Sequence, residues 1–497
     1  MPSNVSKPIP KAASPNPYRV IFGTFIHTPN LSELEICMKT LIGVNEDGVI
    51  EFIIKDWDWE KEDSLLLDEM IPLRANKNYV FYNYGLHGPK FFIPGFIDTH
   101  IHASQYPNIG IGLNTPLLSW LNDYTFPLES KFSTDLEMAK DVYSKVIKKT
   151  LSNGTTCGSY FTTIDPKSTN FFADLLLEHG QRGFVGKVCM DHNDTYKNYQ
   201  ESYETCVSSM NEIINHINEV NPKGERLVKP IVTPRFAPVC SRKMLTYLGK
   251  LCKEQNLPIQ THISENKDEI KLVKSIFPEC ENYAAVYDHF KLLNRKTILA
   301  HGIHLTEEEI GLIKKRKCSI SHCPTSNTFI SSGEAPIYKY LYEDQINVSL
   351  GTDVSGGFDS SILQIIKHSI LVSHHKSMHE NSNKKISIED ALYMATMGGA
   401  KAVGLDKLVG SFEVGKKFDA QLIDFQEGAT DVFKWQLPSD ITDSLDEQKK
   451  KIFDLLSKWV FSGDDRNCVK VWCNGRLVIN KKEDKNSIKA HGGNAQE

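Results

Sequence analysis

The sequence predicts an α/β fold, a (β/α)8 barrel of the TIM type with a small β-sandwich domain formed from both the N- and C-terminal segments. Three observations lead there. The middle of the chain alternates short apolar runs with stretches of helical spacing, as parallel β/α units do. Eight such runs fall between residues 93 and 403, which suits a closed barrel better than an open sheet. Strand-like segments without intervening helices flank that middle on both sides.

In chain order, residues 1–16 are polar, rich in Pro, Ser and Lys, and lack the apolar stretch of a signal peptide, so they read as a disordered tail. In residues 17–92, Tyr18-Arg-Val-Ile-Phe22 and Val49-Ile-Glu-Phe-Ile-Ile54 are β-rich runs between Gly and Asn turns. Residues 404–481 repeat that character in Phe418–Ile423 and Val469–Ile479, and the two stretches combine into one small β domain. The barrel occupies 93–403, with strand candidates at 91–100, 155–161, 184–189, 228–236, 258–263, 297–301, 318–322 and 348–353. Helical spacing fills gaps such as Ser241–Gln255 and Ile270–Ile276, and Thr306 with Glu309 forms a capping box. Residues 482–497 read as a second disordered tail.

Composition narrows the function. A net charge of −5 over 497 residues leaves no polybasic surface for nucleic acid or membrane. No apolar run approaches the roughly 20 residues of a membrane span. The 11 cysteines are scattered and form no C-x-x-C pair, which argues against a disulfide framework and a cysteine-held zinc, and for a cytoplasmic protein.

The chemistry lies where the barrel strands end. The first strand closes on His100-Ile-His102, the fourth on Arg235-Phe236, the fifth on His262 with Glu265 three residues on. The sixth ends in His301, the seventh in His322 and the eighth in Asp353. Residues two apart in a strand face the same side, so His100 and His102 both point into the barrel mouth. With a third histidine and a carboxylate converging there, one zinc ion held by His100, His102, His262 and Asp353 is expected.

Pro94-Gly-Phe-Ile-Asp-Thr-His-Ile-His102, His262, His301 and Asp353, in this order, resemble the amidohydrolase superfamily over most of residues 18–478. Gln105, Thr233-Pro-Arg235-Phe236, Thr261-His-Ile-Ser-Glu265, Ser321-His-Cys-Pro-Thr-Ser-Asn327 and Gly351-Thr-Asp353 are more narrowly similar to its long, eukaryotic guanine-deaminating branch. The resemblance implies zinc-dependent hydrolysis of guanine to xanthine and ammonia by a homodimer. It implies that Asp353 touches the metal and takes the proton of the attacking water, that Glu265 shuttles that proton to the purine, and that His301 polarises the water. Substrate contacts fall to Gln105, Arg235, Phe236, His262 and Asp353. An arginine fork suits the paired acceptors O6 and N7 of guanine and repels the amino group of adenine, and Phe236 offers a stacking face.

Other signals stay secondary. Lys187, inside the third strand, is the one candidate for the carboxylated lysine of two-metal relatives, which would open a ring-opening chemistry instead. Lys314-Lys-Arg-Lys317 reads as a solvated charged face, Gly110-Ile-Gly112 as a loop and His304 as a surface histidine. His322 reads equally as a supporting residue or a helix cap. Two alternatives remain: deamination of another heterocycle (cytosine, a pterin or an adenosine derivative) on the same scaffold, and a non-catalytic binding protein that has kept the barrel.

Overall fold

The computed structural model describes residues 17–57, 78–85, 90–113, 115–222, 226–428, 430–482 and 487–491. The expected tail at 1–16 lies outside them. Five strands precede the barrel: β1 (Tyr18–Asn30), β2 (Glu33–Val44), β3 (Ile50–Ile54), β4 (Asn78–Asn83) and β5 (Lys90–Pro94). The barrel is built from β6 (Phe96–His102), β7 (Thr155–Phe161), β8 (Arg182–Gly186), β9 (Val188–Cys189), β10 (Val228–Pro230), β11 (Thr233–Pro234), β12 (Ile259–Ile263), β13 (Thr297–His301), β14 (Ser319–His322) and β15 (Asn347–Leu350). The chain then returns to the first unit with β16 (Ala420–Asp424), β17 (Cys468–Cys473), β18 (Arg476–Asn480) and β19 (Ser487–His491).

Every pairing among β6–β15 is parallel. Two of the eight staves are interrupted. Between β8 and β9, Lys187 turns its ammonium to the buried carboxylate of Glu201 and to the carbonyl of Val188. Between β10 and β11, Pro230 and Pro234 supply no ladder N–H, and Val232 instead donates to the carbonyl of Pro258 at 2.9 Å. Closure joins the last stave to the first: Thr99 Oγ1 donates to the carbonyl of Leu350 (2.8 Å), Asp353 N to that of His100 (2.8 Å) and His102 N to that of Val354 (3.1 Å).

The terminal strands form one continuous hydrogen-bonded sheet in the order β18-β17-β16-β5-β1-β2-β3, with β4 also on β1 and β19 on β4. Alternating residues bury apolar clusters on both faces: Ile21, Phe25, Ile42, Phe92 and Trp472 in one, Tyr18, Val20, Phe22, Leu41 and Trp57 in the other. The run expected as a single strand over 91–100 is two strands in two different sheets. It breaks at Gly95, where a Cβ would lie 2.2 Å from Thr156 Oγ1, so only glycine lets the chain pass from sheet to barrel this closely. Residues 487–491 differ from the expected tail as well. They are β19, antiparallel to β4 from Ser487↔Tyr82 to His491↔Asn78.

Sheet and barrel are joined by a buried ion pair. Arg182, at the start of β8, donates to Asp419 from Nε (3.3 Å) and Nη2 (3.2 Å), and Asp419 also accepts from Asn474 N at 2.6 Å. The Trp459 indole stacks on Phe96 of the barrel and meets Phe91 of the sheet edge-on. All 11 cysteines are free and buried, and no helix of the described residues is long and apolar enough to cross a membrane. Removing one partner of a buried ion pair leaves the other charge uncompensated. Asp419→Ala should therefore lose about 3–5 kcal/mol of stability, measured as a lower denaturant midpoint than that of the unaltered protein.

Candidate active site

The site forms at the C-terminal ends of the barrel strands, where the parallel ladder points its last side chains into one mouth. His100 and His102 come from β6, His262 from β12, His301 from the end of β13, and Asp353 from three residues beyond β15. Asp353 Oδ1 lies 3.2 Å from His100 Nε2 and 3.4 Å from His102 Nε2, while its Oδ2 lies 3.7 Å from His301 Nε2. His102 Nε2 is 3.3 Å from His262 Nε2. Ligand atoms of His100, His262, His301 and Asp353 all fall within 4.8 Å of one another; this group includes His301, expected on the attacking water, and leaves out His102, expected as a ligand. His301 and Asp353 adopt left-handed backbone, with φ of 73° and 47°. That conformation costs a non-glycine residue about 1–2 kcal/mol, which the closing hydrogen bonds of the barrel must offset.

These side chains suit a divalent cation bound through nitrogen and oxygen. Among the described residues, both ring nitrogens of His100, Nδ1 of His102 and Nε2 of His301 are buried without a hydrogen-bond partner, which is costly unless something else satisfies them. Burial pushes the His100, His102 and His262 imidazoles below their ordinary range, to the neutral form a metal needs. Burial alone would raise the Asp353 carboxyl, but the surrounding imidazoles outweigh it and hold the group ionised. Supporting contacts set the tautomers. His262 Nδ1 donates to the carbonyl of Arg235 at 2.6 Å, and His301 Nδ1 to Oδ1 of Asn327 at 2.9 Å. Each frees Nε2 to face the centre.

Glu265 stands beside this group with Oε2 3.5 Å from His301 Nε2 and Oε1 without a partner among the described residues. Burial, reinforced by the Asp353 charge, lifts its carboxyl well above the usual range. A raised acid next to a fixed carboxylate anion is how two carboxyl groups divide acid and base work. Glu269 shapes the turn that carries Glu265, accepting from Glu265 N (2.9 Å) and Asn266 N (3.1 Å). Behind His100, Asp98 accepts from Thr352 Oγ1 at 2.6 Å, and burial pushes it up to about 7.

The cavity beside the cluster is lined by Gln105, Trp120, Leu121, Arg235, Phe236 and Glu265, among others. Arg235 is fully buried and grips Glu129 through Nη1 (2.6 Å) and Nη2 (3.3 Å), with its guanidinium over the Phe126 ring at 5.1 Å. Gln105 Nε2 donates to the same Glu129 at 2.9 Å, and Ser355 N donates to Gln105 Oε1 at 3.2 Å. Sequence reasoning missed Glu129. It lies in the crossover after β6, in Phe126–Glu129, far from any strand end; its signal was a lone acid closing an otherwise apolar run. Asn327, quoted within a motif but given no role, holds His301.

Lys187 does not join the metal cluster; its ammonium is spent on Glu201, with Cys206 Sγ 4.0 Å away. His322 is fully buried, has no hydrogen-bond partner among the described residues, and is pushed down to about 3 by burial, so it caps no helix through its side chain. His304 Nε2 donates to the carbonyl of Ser332 at 2.8 Å, and Arg316 of the Lys314–Lys317 run pairs with Asp288.

A parallel barrel whose strand ends gather four imidazoles and an aspartate defines a class. A family model described as "Amidohydrolase family" matches residues 91–478, and the chain belongs to that family. Within it, several relatives that span most of the chain are named guanine deaminases. A probable guanine deaminase of Schizosaccharomyces pombe is 44% identical, covering 92% of this chain and 83% of its own. The guanine deaminase of Homo sapiens is 38% identical, covering 94% and 98%. A crystal structure of guanine deaminase from C. acetobutylicum with bound guanine superposes with a TM-score of 0.79 at 35% identity, over 93% of this chain and 99% of that one.

Supporting hydrogen bonds of metal-site histidines are worth about 10–100-fold in metal affinity or activity. Asn327→Ala should therefore weaken metal retention or turnover by that range, read by chelator competition alongside a rate assay, with the fold intact.

Proposed function

We propose that this chain hydrolyses guanine to xanthine and ammonia with one zinc ion, as a cytoplasmic homodimer serving purine breakdown. One observation carries the reading. The guanidinium of Arg235 and the amide of Gln105 line the same cavity as His102, His262, Asp353 and the raised carboxyl of Glu265. An acceptor-rich purine edge would then meet the donors while its far ring carbon meets the hydrolytic groups.

His100, His102, His262 and Asp353 would hold the zinc, which when bound supplies a Lewis acid that makes water nucleophilic near neutral pH. Lys187, held by Glu201, is not free to bridge a second ion. The chain's own groups do the rest. Arg235 and Gln105 bind the base, Phe236 packs against its plane, and His262 and Asp353 bound its reacting end. His301 orients and polarises the attacking water, and Asp353, kept ionised, takes its proton as the oxygen adds to C2 of guanine. Glu265 starts protonated, gives its proton to the ring nitrogen beside C2, then takes the second proton of the added oxygen and passes it to the departing amino group. Ammonia leaves as C2 becomes a carbonyl, and the proton held on Asp353 passes to Glu265, which restores both groups. A carboxyl with a raised pKa fits that double duty. The buried free cysteines suit a reducing compartment. A net charge of −5 offers nothing to nucleic acid or to a membrane surface. Neither alternative from the sequence gains support: an adenine-type ring would set its amino group against Arg235, and a binding protein would not need all the hydrolytic groups in place.

Elemental analysis of the intact protein should return close to one zinc per chain; a value near two, abolished by Lys187→Met, would exclude this metal assignment. Glu265→Gln should keep that zinc and lower turnover of guanine by roughly 10²–10⁴, and a metal-replete Gln variant working at the native rate removes Glu265 from the proton path. Arg235→Lys keeps the charge but not the planar fork. It should lose kcat/KM for guanine by at least about tenfold while adenine stays a poor substrate. Retained kcat/KM in that variant means another group reads the base.

A further inference from the structure

We infer that Glu129 is a specificity-determining positioning residue, which orients Arg235 and Gln105 and makes their pocket select a neutral base over an anionic one. The inference rests on the guanine reading and adds to it a residue from outside the barrel strands. Glu129 is 1% exposed, and its two oxygens are shared among three donors: Arg235 Nη1, Arg235 Nη2 and Gln105 Nε2. Three consequences follow.

The first concerns the amide. Gln105 is pinned at both ends, its Nε2 by the Glu129 carboxylate and its Oε1 by the backbone N–H of Ser355. A flipped amide would set oxygen against carboxylate and NH2 against N–H, so one orientation is enforced. It leaves one amide hydrogen and one lone pair for a ligand. The second concerns the guanidinium. With both terminal nitrogens turned to Glu129 and the plane over Phe126, Arg235 presents its remaining N–H bonds in a fixed direction rather than as a swinging side chain. The third concerns charge. A buried arginine without a counter-ion attracts anions, whereas the Arg235–Glu129 pair is neutral in sum and still polar. It therefore donates hydrogen bonds to a neutral purine with no net demand for negative charge. Xanthine has a carbonyl at C2 and an extra ring N–H beside it, and it ionises more readily than guanine. The carboxylate thus disfavours the ionised product and favours the neutral substrate.

The experiment compares the unaltered protein with Glu129→Gln and Glu129→Asp, each loaded with zinc and checked for metal content. It reads kcat and KM for guanine, and inhibition by xanthine from pH 7 to pH 9. In Glu129→Gln, KM should rise about 10- to 100-fold, the scale set by losing a charged hydrogen-bond partner, while kcat changes far less. Xanthine inhibition should tighten as pH rises in this variant but not in the unaltered protein. Glu129→Asp keeps the charge and withdraws its reach, so KM should still rise while the xanthine profile stays native. If Glu129→Gln does not fold, the Asp variant decides. Native KM in a folded Asp variant, or in the Gln variant a fall in kcat with unchanged KM or a native xanthine profile, overturns the inference. If the unaltered protein releases no ammonia from guanine, the functional reading fails instead.

Discussion

The active site depends on a cluster of buried imidazoles, some of whose nitrogens find no partner among the described residues. Nε2 of His100, His102 and His301 all face Asp353, and among the described residues those of His100 and His301 have no hydrogen-bond partner. Such groups are stable only when a cation accepts the lone pairs or when the frame around them cannot relax. The frame is built for that. Strand ends hold His301 and Asp353 in left-handed backbone, barrel closure ties Asp353 N to the carbonyl of His100, and the ionised Asp353 faces imidazoles that burial keeps neutral. The barrel is a clamp first and a scaffold second.

Arg235 shows how tightly the two halves of the site are geared together. Its backbone carbonyl fixes the tautomer of His262, a cluster histidine, while its side chain lines the cavity and grips Glu129. A slip of one residue in β11, which ends just before Arg235, would remove both contacts at once, because side chains alternate faces. Recognition of the ring and geometry of the cluster are therefore set by a single backbone position. The supporting layer is divided differently: Glu129 and Gln105 come from the long crossover after the first stave, Ser355 from beyond the last.

Much of this was legible in the sequence because strand ends advertise themselves. His100 and His102 repeat at the period of a strand, and His262, His301 and Asp353 each close an apolar run. The structure brings His102, His262, Asp353 and Arg235 to one cavity, with His100 and His301 beside Asp353. What stayed hidden depends on contacts between distant elements. No local rule tells that Glu129 meets a side chain 106 residues away, or that Gly95 ends one sheet and begins another. Lys187 reads as part of a continuous strand until its partner Glu201 is known. The strand at 487–491 is too short and too polar to stand out before β4 gives it an edge to pair with.

The terminal sheet has a consequence for how the chain is made. β5 sits between β1, which emerges first, and β16, which emerges only after the whole barrel has been synthesised. Until then β5 exposes an unpaired edge carrying Phe91, Phe92 and Ile93, the kind of edge that recruits other chains. The early sheet is thus an unfinished template during translation, and the barrel that follows must fold while tethered to it. The return of β16 completes the edge, and Asp419, just before it, meets Arg182. Translation rate and chaperone access over that interval, more than any step inside the catalytic mouth, would govern how much of this protein a cell recovers in its native form.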